Sequence, residues 1–271
     1  MTKLIVDISE HNSVTSLKNV DGVMIRFGYG FANEDKKVLK HIGIAESEGI
    51  PYGLYFYSYA TNMEQCEQEK AFIKSFVKKY KPLLPICIDM EDVGGWKKKN
   101  GNPSKKMLTD ITVELLECIE SMGYYALLYC NEDWYNNRLD NSRLKPYDLW
   151  IAKWSTYKPN VAQPYNMWQY TSNGYVKGIN GRIDMNRCYV DYPSIIKNAG
   201  LNGYKKGSTS NKKIKVGDKV KVKNPIDYDT GRKFVLYYDV YDVIEVNGKR
   251  AVIGIENIVT SAISTDNLIK L

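Results

Sequence analysis

Residues 86–92 read Ile-Cys-Ile-Asp-Met-Glu-Asp, a short apolar run closed by the acids Asp89 and Glu91. A run of this length, preceded by Pro82 and Pro85, predicts a buried strand. A carboxylate inside or at the end of such a strand costs free energy unless it is paired or used. Alternate residues of a strand face one side, about 6.6 Å apart by strand rise, so Asp89 and Glu91 are expected to face one cleft. Two like charges that close do not both ionise freely, and one keeps its proton near neutral pH. A protonated Glu beside an ionised Asp is the arrangement that acid-catalysed glycoside cleavage requires. Glu91 has the longer reach and is the expected general acid. The same DxE spacing also fits the start of a loop or a divalent-cation site.

Outward from this run, strands and helices alternate. Strands are expected at 4–8, 23–27, 52–57, 125–130, 149–152, 167–170 and 182–185. Helices are expected at 35–48, at 63–80 and from the Ser104 cap to 122. Near-continuous apolar strands joined by helices imply a parallel sheet covered by helices. About eight strands in ~200 residues predict an α/β fold closed as a β/α barrel, irregular in its helix-poor last third. Function in such barrels collects at the C-terminal ends of strands. There the chain has Asp7, Arg26 and Asp89, with Glu91 just beyond and Asp184 in the last strand. Tyr55, Tyr57, Tyr59, Tyr129, Trp154 and Trp168 also fall in or just after strands, where they could stack on sugar rings while Gln169 bonds to substituents. Aromatics in strands are nevertheless more often core. His11 follows Asp7 closely and could line the same cleft, although a loop histidine is more often incidental. Cys87 is read as core, and the lysines at 97–99 as a solvated loop. Gly28-Tyr29-Gly30 lacks the third glycine of a dinucleotide loop, since Asn33 stands at that place.

The chain has 271 residues, 44% hydrophobic and 25% charged, which suits ordinary globular units. No apolar run reaches the ~18 residues of a membrane span, and residues 1–10 lack the pattern of a secretory signal. Five scattered cysteines without a CxxC pair read as reduced thiols. With two histidines and no HExxH, a histidine-rich zinc hydrolase is nearly ruled out, and neither metal nor organic cofactor is expected. Residues 199–213, rich in Gly, Lys and Ser, read as a linker between a barrel at 1–198 and a second domain at 214–271. That second part shows strands at 219–222, 233–238, 240–246, 250–255 and 267–269, with Asn247-Gly248 as a hairpin signal, and so predicts a small all-β barrel. Net charge is +7, and residues 205–271 hold 13 Lys/Arg against 8 Asp/Glu. This suggests an anionic partner such as a wall polymer or nucleic acid, or serves solubility alone.

Residues 1–196 resemble the family 25 glycoside hydrolases, the Chalaropsis-type lysozymes. The matching pieces are IVDIS, GVMIRFGYG, PYGLYFYSYA, ICIDMED, LYCN, LWIAKW and MWQYTSNGYVKGINGRIDMN. The resemblance implies an irregular barrel that cleaves the β-1,4 bond between N-acetylmuramic acid and N-acetylglucosamine in peptidoglycan. It makes Glu91 the proton donor, Asp89 its partner, and Asp7 and Asp184 supporting acids. Arg26, Tyr55, Tyr57, Tyr129, Trp154 and Gln169 are the expected substrate contacts. Where many relatives carry Tyr-His-Phe, this chain has Tyr55-Phe56-Tyr57. The tail resembles a bacterial SH3-like wall-binding module through VGDKVKV and AVIGIENIVTSAISTDNLIKL. Together the parts resemble a phage endolysin of clostridia, with no membrane insertion of its own, held in the host cytoplasm until a separate holin releases it to the wall. The alternatives are a non-catalytic wall-binding protein, an amidase or peptidase, and, ranked last, a nucleic-acid binder.

Overall fold

The computed structural model describes residues 2–206 and 214–271, and the chain divides into two units, Met1–Lys206 and Gly207–Leu271. The barrel strands of the first are β1 (Lys3–Ile8), β2 (Gly22–Tyr29), β3 (Tyr52–Tyr57), β4 (Ile86–Asp89), β5 (Ala126–Asn131), β6 (Asp148–Ala152), β7 (Met167–Gly174) and β8 (Ile183–Cys188). Neighbours from β1 to β7 pair in parallel. β8 closes the ring between β7 and β1, antiparallel to both. The all-parallel expectation is thus corrected at the last strand. Only residues 175–182 join β7 to β8, and they contain the two-residue strand Ile179–Asn180 rather than a crossover helix, so the chain can only turn back.

Helices α1 (Val38–Glu48), α2 (Met63–Val77) and α3 (Lys105–Ser121) cover the outer face. α1 buries Val38, His41, Ile42 and Ala45 at helical spacing and stops at Gly49, whose φ of 69° lies in the left-handed region. The Asn62 and Ser104 side chains cap α2 and α3 by accepting from Gln65 N and Met107 N. Between β5 and β7 there are only short helical turns, which makes the barrel irregular as expected. α4 (Tyr192–Ala199) follows β8 and lies where no helix was expected.

Strand alternation sorts the core into two layers. Val6, Ile25, Phe56, Ile88, Leu128 and Ile151 face the helices, whereas Ile5, Met24, Cys87, Leu127, Trp150 and Met167 fill the barrel. Gly53 is inward-facing and has no room for a side chain, because a Cβ there would stand 2.6 Å from Met24 Sδ. Phe56, at the departing Tyr-Phe-Tyr, belongs to the helix-facing layer against Phe27 and Phe72. All five cysteines are buried and unpaired.

The expected linker is corrected at its first half. Gly200 ends α4, and Asn202 is fully buried. Its side chain accepts from Tyr125 N and donates to the Pro82 and Leu84 carbonyls. Residues 199–206 therefore pack onto the barrel unit, while 207–213 lie outside the described residues.

The second unit is an antiparallel sheet of β9 (Lys219–Val222), β10 (Tyr241–Asn247), β11 (Arg250–Ile255), β12 (Ile258–Ser264) and β13 (Leu268–Lys270), in the order β12-β11-β10-β9-β13. Val220, Tyr241, Val243, Ile253 and Ile263 lie in its core. Gly248, with φ 59°, opens the expected hairpin turn. The strand expected at 233–238 is absent apart from one bridge at Lys233, and the strand missed by pattern is β12. Val235, Leu236, Tyr237 and Tyr238 are exposed, and the last two donate backbone N–H groups to the Tyr241 hydroxyl.

Candidate active site

The alternation that fills the barrel also builds a cavity at one end. Asp7 lies two residues beyond Ile5, Arg26 two beyond Met24, Asp89 two beyond Cys87, Tyr129 two beyond Leu127 and Gln169 two beyond Met167. Each continues the inward row of its strand toward the C-terminal mouth. β8 runs the other way, so Asp184 reaches the same mouth from the beginning of its strand and stands across from Asp7 in the ladder. These residues, with Tyr55, Tyr57, Glu91 and Trp154, line one cavity of about 440 Å³. All ten expected site residues therefore meet. A second hollow of about 380 Å³ shares Glu91, Val93, Tyr129 and Trp154 with the first and continues over Ala152 and Lys153. The cleft thus extends to either side of Glu91.

Hydrogen bonds fix the floor. Gln169 Nε2 and Asn186 Nδ2 donate to Asp7 Oδ2 at 3.1 and 2.8 Å. Gln169 is oriented by the Tyr129 hydroxyl and Trp154 Nε1, which donate to its Oε1 at 3.1 and 2.9 Å. Asn186 is oriented by Trp150 Nε1, donating to its Oδ1 at 2.8 Å. On the opposite wall, Arg26 is held by Asp35 at 2.9 Å and Glu10 at 3.2 Å, and its guanidinium lies 4.9 Å from the Tyr29 ring centre. The Tyr57 hydroxyl accepts from Val93 N at 3.0 Å and so holds the loop that carries Glu91. Tyr59 stacks on Trp96 with ring centres 5.2 Å apart, forming an aromatic rim.

Burial governs the electrostatics. It pushes the Asp89 carboxyl well above its ordinary range, with repulsion from Glu91 adding to the shift. Asp89 Oδ1 is buried and has no hydrogen-bond partner among the described residues. Burial also pushes Glu91 up to about 7, with the Lys97 charge opposing and Asp184 assisting. Asp7 is raised by burial and then by Asp184, against the bonds from Asn186 and Gln169. Asp184 is raised by burial, while its bond with Asp7 pulls it down. Burial thus raises every carboxyl of the mouth, Asp89 included, which runs against the ionised Asp expected beside Glu91, and Glu91 itself is poised to exchange its proton near neutral pH.

Of the aromatics, Trp168, adjacent to Gln169, proves to be core: it points to the helix-facing layer and donates to the Lys153 carbonyl. One expectation fails here. Lys97, read as part of a solvated loop, is 2% exposed and reaches under the site. Sequence reasoning also left out Asn186, Trp150, Tyr29 and Ser172, whereas His11 lines the cavity with Asp7, the place its spacing allowed. Asn186 had a usable signal, since it sits two residues from Asp184, a recognised inward position.

The profile of the family described as Glycosyl hydrolases family 25 matches residues 6–179. The autolytic lysozyme of Clostridium acetobutylicum is 26% identical over 166 residues, covering 61% of this chain and 48% of that protein. Among solved structures, the catalytic domain of the endolysin ply40 from bacteriophage P40 of Listeria monocytogenes is 27% identical. It covers 73% of this chain and 98% of that one, with a TM-score of 0.61. The modular autolysin LytC of Streptococcus pneumoniae is 30% identical, covers 69% of this chain and 47% of that one, and gives a TM-score of 0.60. The chain spans about half to three-fifths of the length of the curated relatives it matches.

Proposed function

We propose that this chain, which belongs to the glycosyl hydrolases of family 25, is a muramidase that cleaves the β-1,4 bond between N-acetylmuramic acid and N-acetylglucosamine in peptidoglycan. The observation that carries the reading is Glu91, a half-buried carboxyl pushed up to about 7 beside the buried and likewise raised Asp89, where two hollows of the cleft share its side chain. A polymer threaded through that cleft places its glycosidic oxygen at the Glu91 carboxyl.

In this mechanism Glu91 gives its proton to the glycosidic oxygen as the C1–O bond breaks. The 2-acetamido oxygen of the same sugar attacks C1 and forms a cyclic intermediate, and Asp89 orients that group. The Glu91 carboxylate then takes a proton from water, whose oxygen bonds to C1 and reopens the ring. The unpartnered Asp89 Oδ1 suits an acetamido N–H. Asp7, held by Gln169 and Asn186, and Asp184 turn carboxyl oxygens toward the reacting sugar, where their lone pairs favour an oxocarbenium-like centre. Tyr55, Tyr57, Tyr129 and Trp154 supply apolar faces and hydroxyls for the sugar rings.

The second unit, with its five antiparallel strands, serves in this reading as an SH3-like module that holds the enzyme on the wall. The whole then acts as a phage endolysin on Gram-positive hosts, released from the cytoplasm by a holin. The likeness to the ply40 catalytic domain supports the endolysin reading.

The test is digestion of purified clostridial peptidoglycan with wild type and Glu91→Gln, counting new reducing ends against new amines. Reducing-end muramic acid that falls at least a hundredfold in the mutant is the expected result. New amines, or tight wall binding without product, would overturn it.

A further inference from the structure

The geometry points to Lys97 as a positioning residue for Glu91, its ammonium group clamping the backbone that carries the acid and setting the proton affinity of that acid. The inference rests on the reading of Glu91 as proton donor.

Lys97 lies in a single helical turn, Trp96–Lys99. Lys98 and Lys99 beside it are exposed, while Lys97 is 2% exposed. Its Nζ donates to the Glu91 carbonyl at 2.8 Å and to the Ser58 carbonyl. The same ammonium stands 5.5 Å from the Tyr57 ring centre and 5.9 Å from that of Trp134, so aromatic faces complete its shell. It ties the segment after β3 to the segment after β4. Ser58 is tied from three sides: its N–H donates to the Asp89 carbonyl, its hydroxyl donates to Glu69, and its carbonyl accepts from Lys97.

Structure alone does not demand a cation here. The Asp92 carboxylate already closes the turn by accepting from the backbone N–H of Lys97 and of Lys98, at 2.7 and 3.0 Å. An apolar side chain could fill the volume at less desolvation cost. The charge earns its place only through what it faces. Glu69 comes from α2, Asp89 from β4, and Glu91 and Asp92 from the loop that follows. Burial pulls the Lys97 ammonium below its ordinary range, and these four acids push it back. In return, Lys97 is the cation that holds Glu91 down against burial. Without it, Glu91 would hold its proton more tightly and the loop carbonyls would lose their donor.

The test is a carbon-13 carboxyl titration of the full chain, with Glu91→Gln assigning the Glu91 signal, on wild type, Lys97→Gln, Lys97→Met and Lys97→Arg. Lys97→Gln keeps N–H donors without charge, Lys97→Met keeps neither, and Lys97→Arg keeps the charge. The Glu91 midpoint is expected to rise by about one pH unit in the Gln and Met variants, tenfold in proton affinity, and to stay in place with Arg. The alkaline limb of kcat/KM should move with it. At neutral pH kcat should fall a few-fold with Gln, the weaker acid being partly offset by a fuller load of protons, and about tenfold or more with Met, which also strips the carbonyl donors, with KM little changed. A folded Lys97→Gln in which kcat falls while the midpoint and alkaline limb stay put would show a merely structural lysine and overturn the proposal. If Met does not fold, the comparison of Gln with Arg decides. Absence of reducing ends from wild type would refute the muramidase reading instead, because the titration needs no turnover.

Discussion

Replacing Glu69 with glutamine removes a charge from the interior of the barrel unit while every hydrogen bond it makes can be kept. Glu69 is fully buried. Its Oε1 accepts from Tyr59 N at 2.6 Å and Ala60 N at 3.0 Å, and its Oε2 accepts from the Ser58 hydroxyl at 2.7 Å. In Glu69→Gln the amide oxygen can accept both backbone bonds, and the amide nitrogen can donate to the Ser58 oxygen. What changes is the titration. Burial pushes the Glu69 carboxyl up to about 7 from an ordinary 4.5, against the bonds from Ser58, Tyr59 and Ala60 and the Lys97 charge. A carboxyl raised on folding binds more protons folded than unfolded. Its contribution is therefore fully present below the unfolded value and is lost as pH rises through the folded one. At 1.36 kcal/mol per pH unit, a rise of this size costs the wild type about 3 kcal/mol once the pH is above 7, and about 2 kcal/mol of that is lost between pH 5 and pH 8.

Urea unfolding followed by tryptophan fluorescence reads this cleanly. All five tryptophans lie at positions 96–168, so the signal comes from the barrel unit alone. The other raised carboxyls, Asp7, Asp89, Glu91 and Asp184, titrate in both proteins and cancel to first order in the difference. The stability of Glu69→Gln minus that of wild type should grow by about 2 kcal/mol from pH 5 to pH 8. Parallel stability curves across that range would refute the assignment of a proton to Glu69 in the folded state.

Three other outcomes follow from the same structure. With Glu91 pushed up to about 7 and required in its protonated form, kcat/KM for peptidoglycan should fall about tenfold per pH unit above that value; a pH–rate profile flat to pH 9 would contradict it. Asn202→Ala strips partners from Tyr125 N–H and from the Pro82 and Leu84 carbonyls and puts alanine at a φ of 54°. It should cost the barrel unit about 3 kcal/mol or more in urea unfolding. Gly254→Ala places a Cβ 2.0 Å from the Ile258 carbonyl oxygen, across the β11–β12 pair. It should unfold the second unit by calorimetry while the tryptophan-reported transition stays where it was.

Inward-facing acids were legible because an apolar strand makes a charge conspicuous: Asp7, Asp89 and Asp184 stand out against Ile, Val and Met. Strand existence was legible for the same reason. The direction of the last strand was not, since an apolar run looks alike in either sense and only the short 175–182 connection reveals the reversal. Strand β12 was missed because its hairpin turns on Glu256 and Asn257, both at positive φ, without the glycine that marks such turns. The exposed Val235–Tyr238 run was mistaken for a strand because its hydrophobicity is not used for burial in this unit. Lys97 could not be read at all. Three consecutive lysines look like a solvated face, and burial of the first depends on carbonyls and carboxylates supplied by segments 58 and 91.

That buried lysine bears on why Glu91 is poised where it is. The mouth collects Asp7, Asp89, Glu91 and Asp184, with Glu69 just beneath, and burial raises every one of them. Cations near them are few. Arg26 is already matched by Asp35 and Glu10, which leaves its charge largely spoken for. A cluster with more acids than bases resists full ionisation, and Glu91, pushed up to about 7, keeps a share of its protons at neutral pH for that reason. An added cation at the mouth would let the carboxyls ionise, stabilising the barrel at neutral pH and emptying Glu91 of the proton it must give. Removing Lys97 would do the opposite and make Glu91 a weaker acid. The cost in stability above neutral pH and the acid strength of Glu91 are therefore one electrostatic quantity, set by how much positive charge the barrel allows next to its carboxylates.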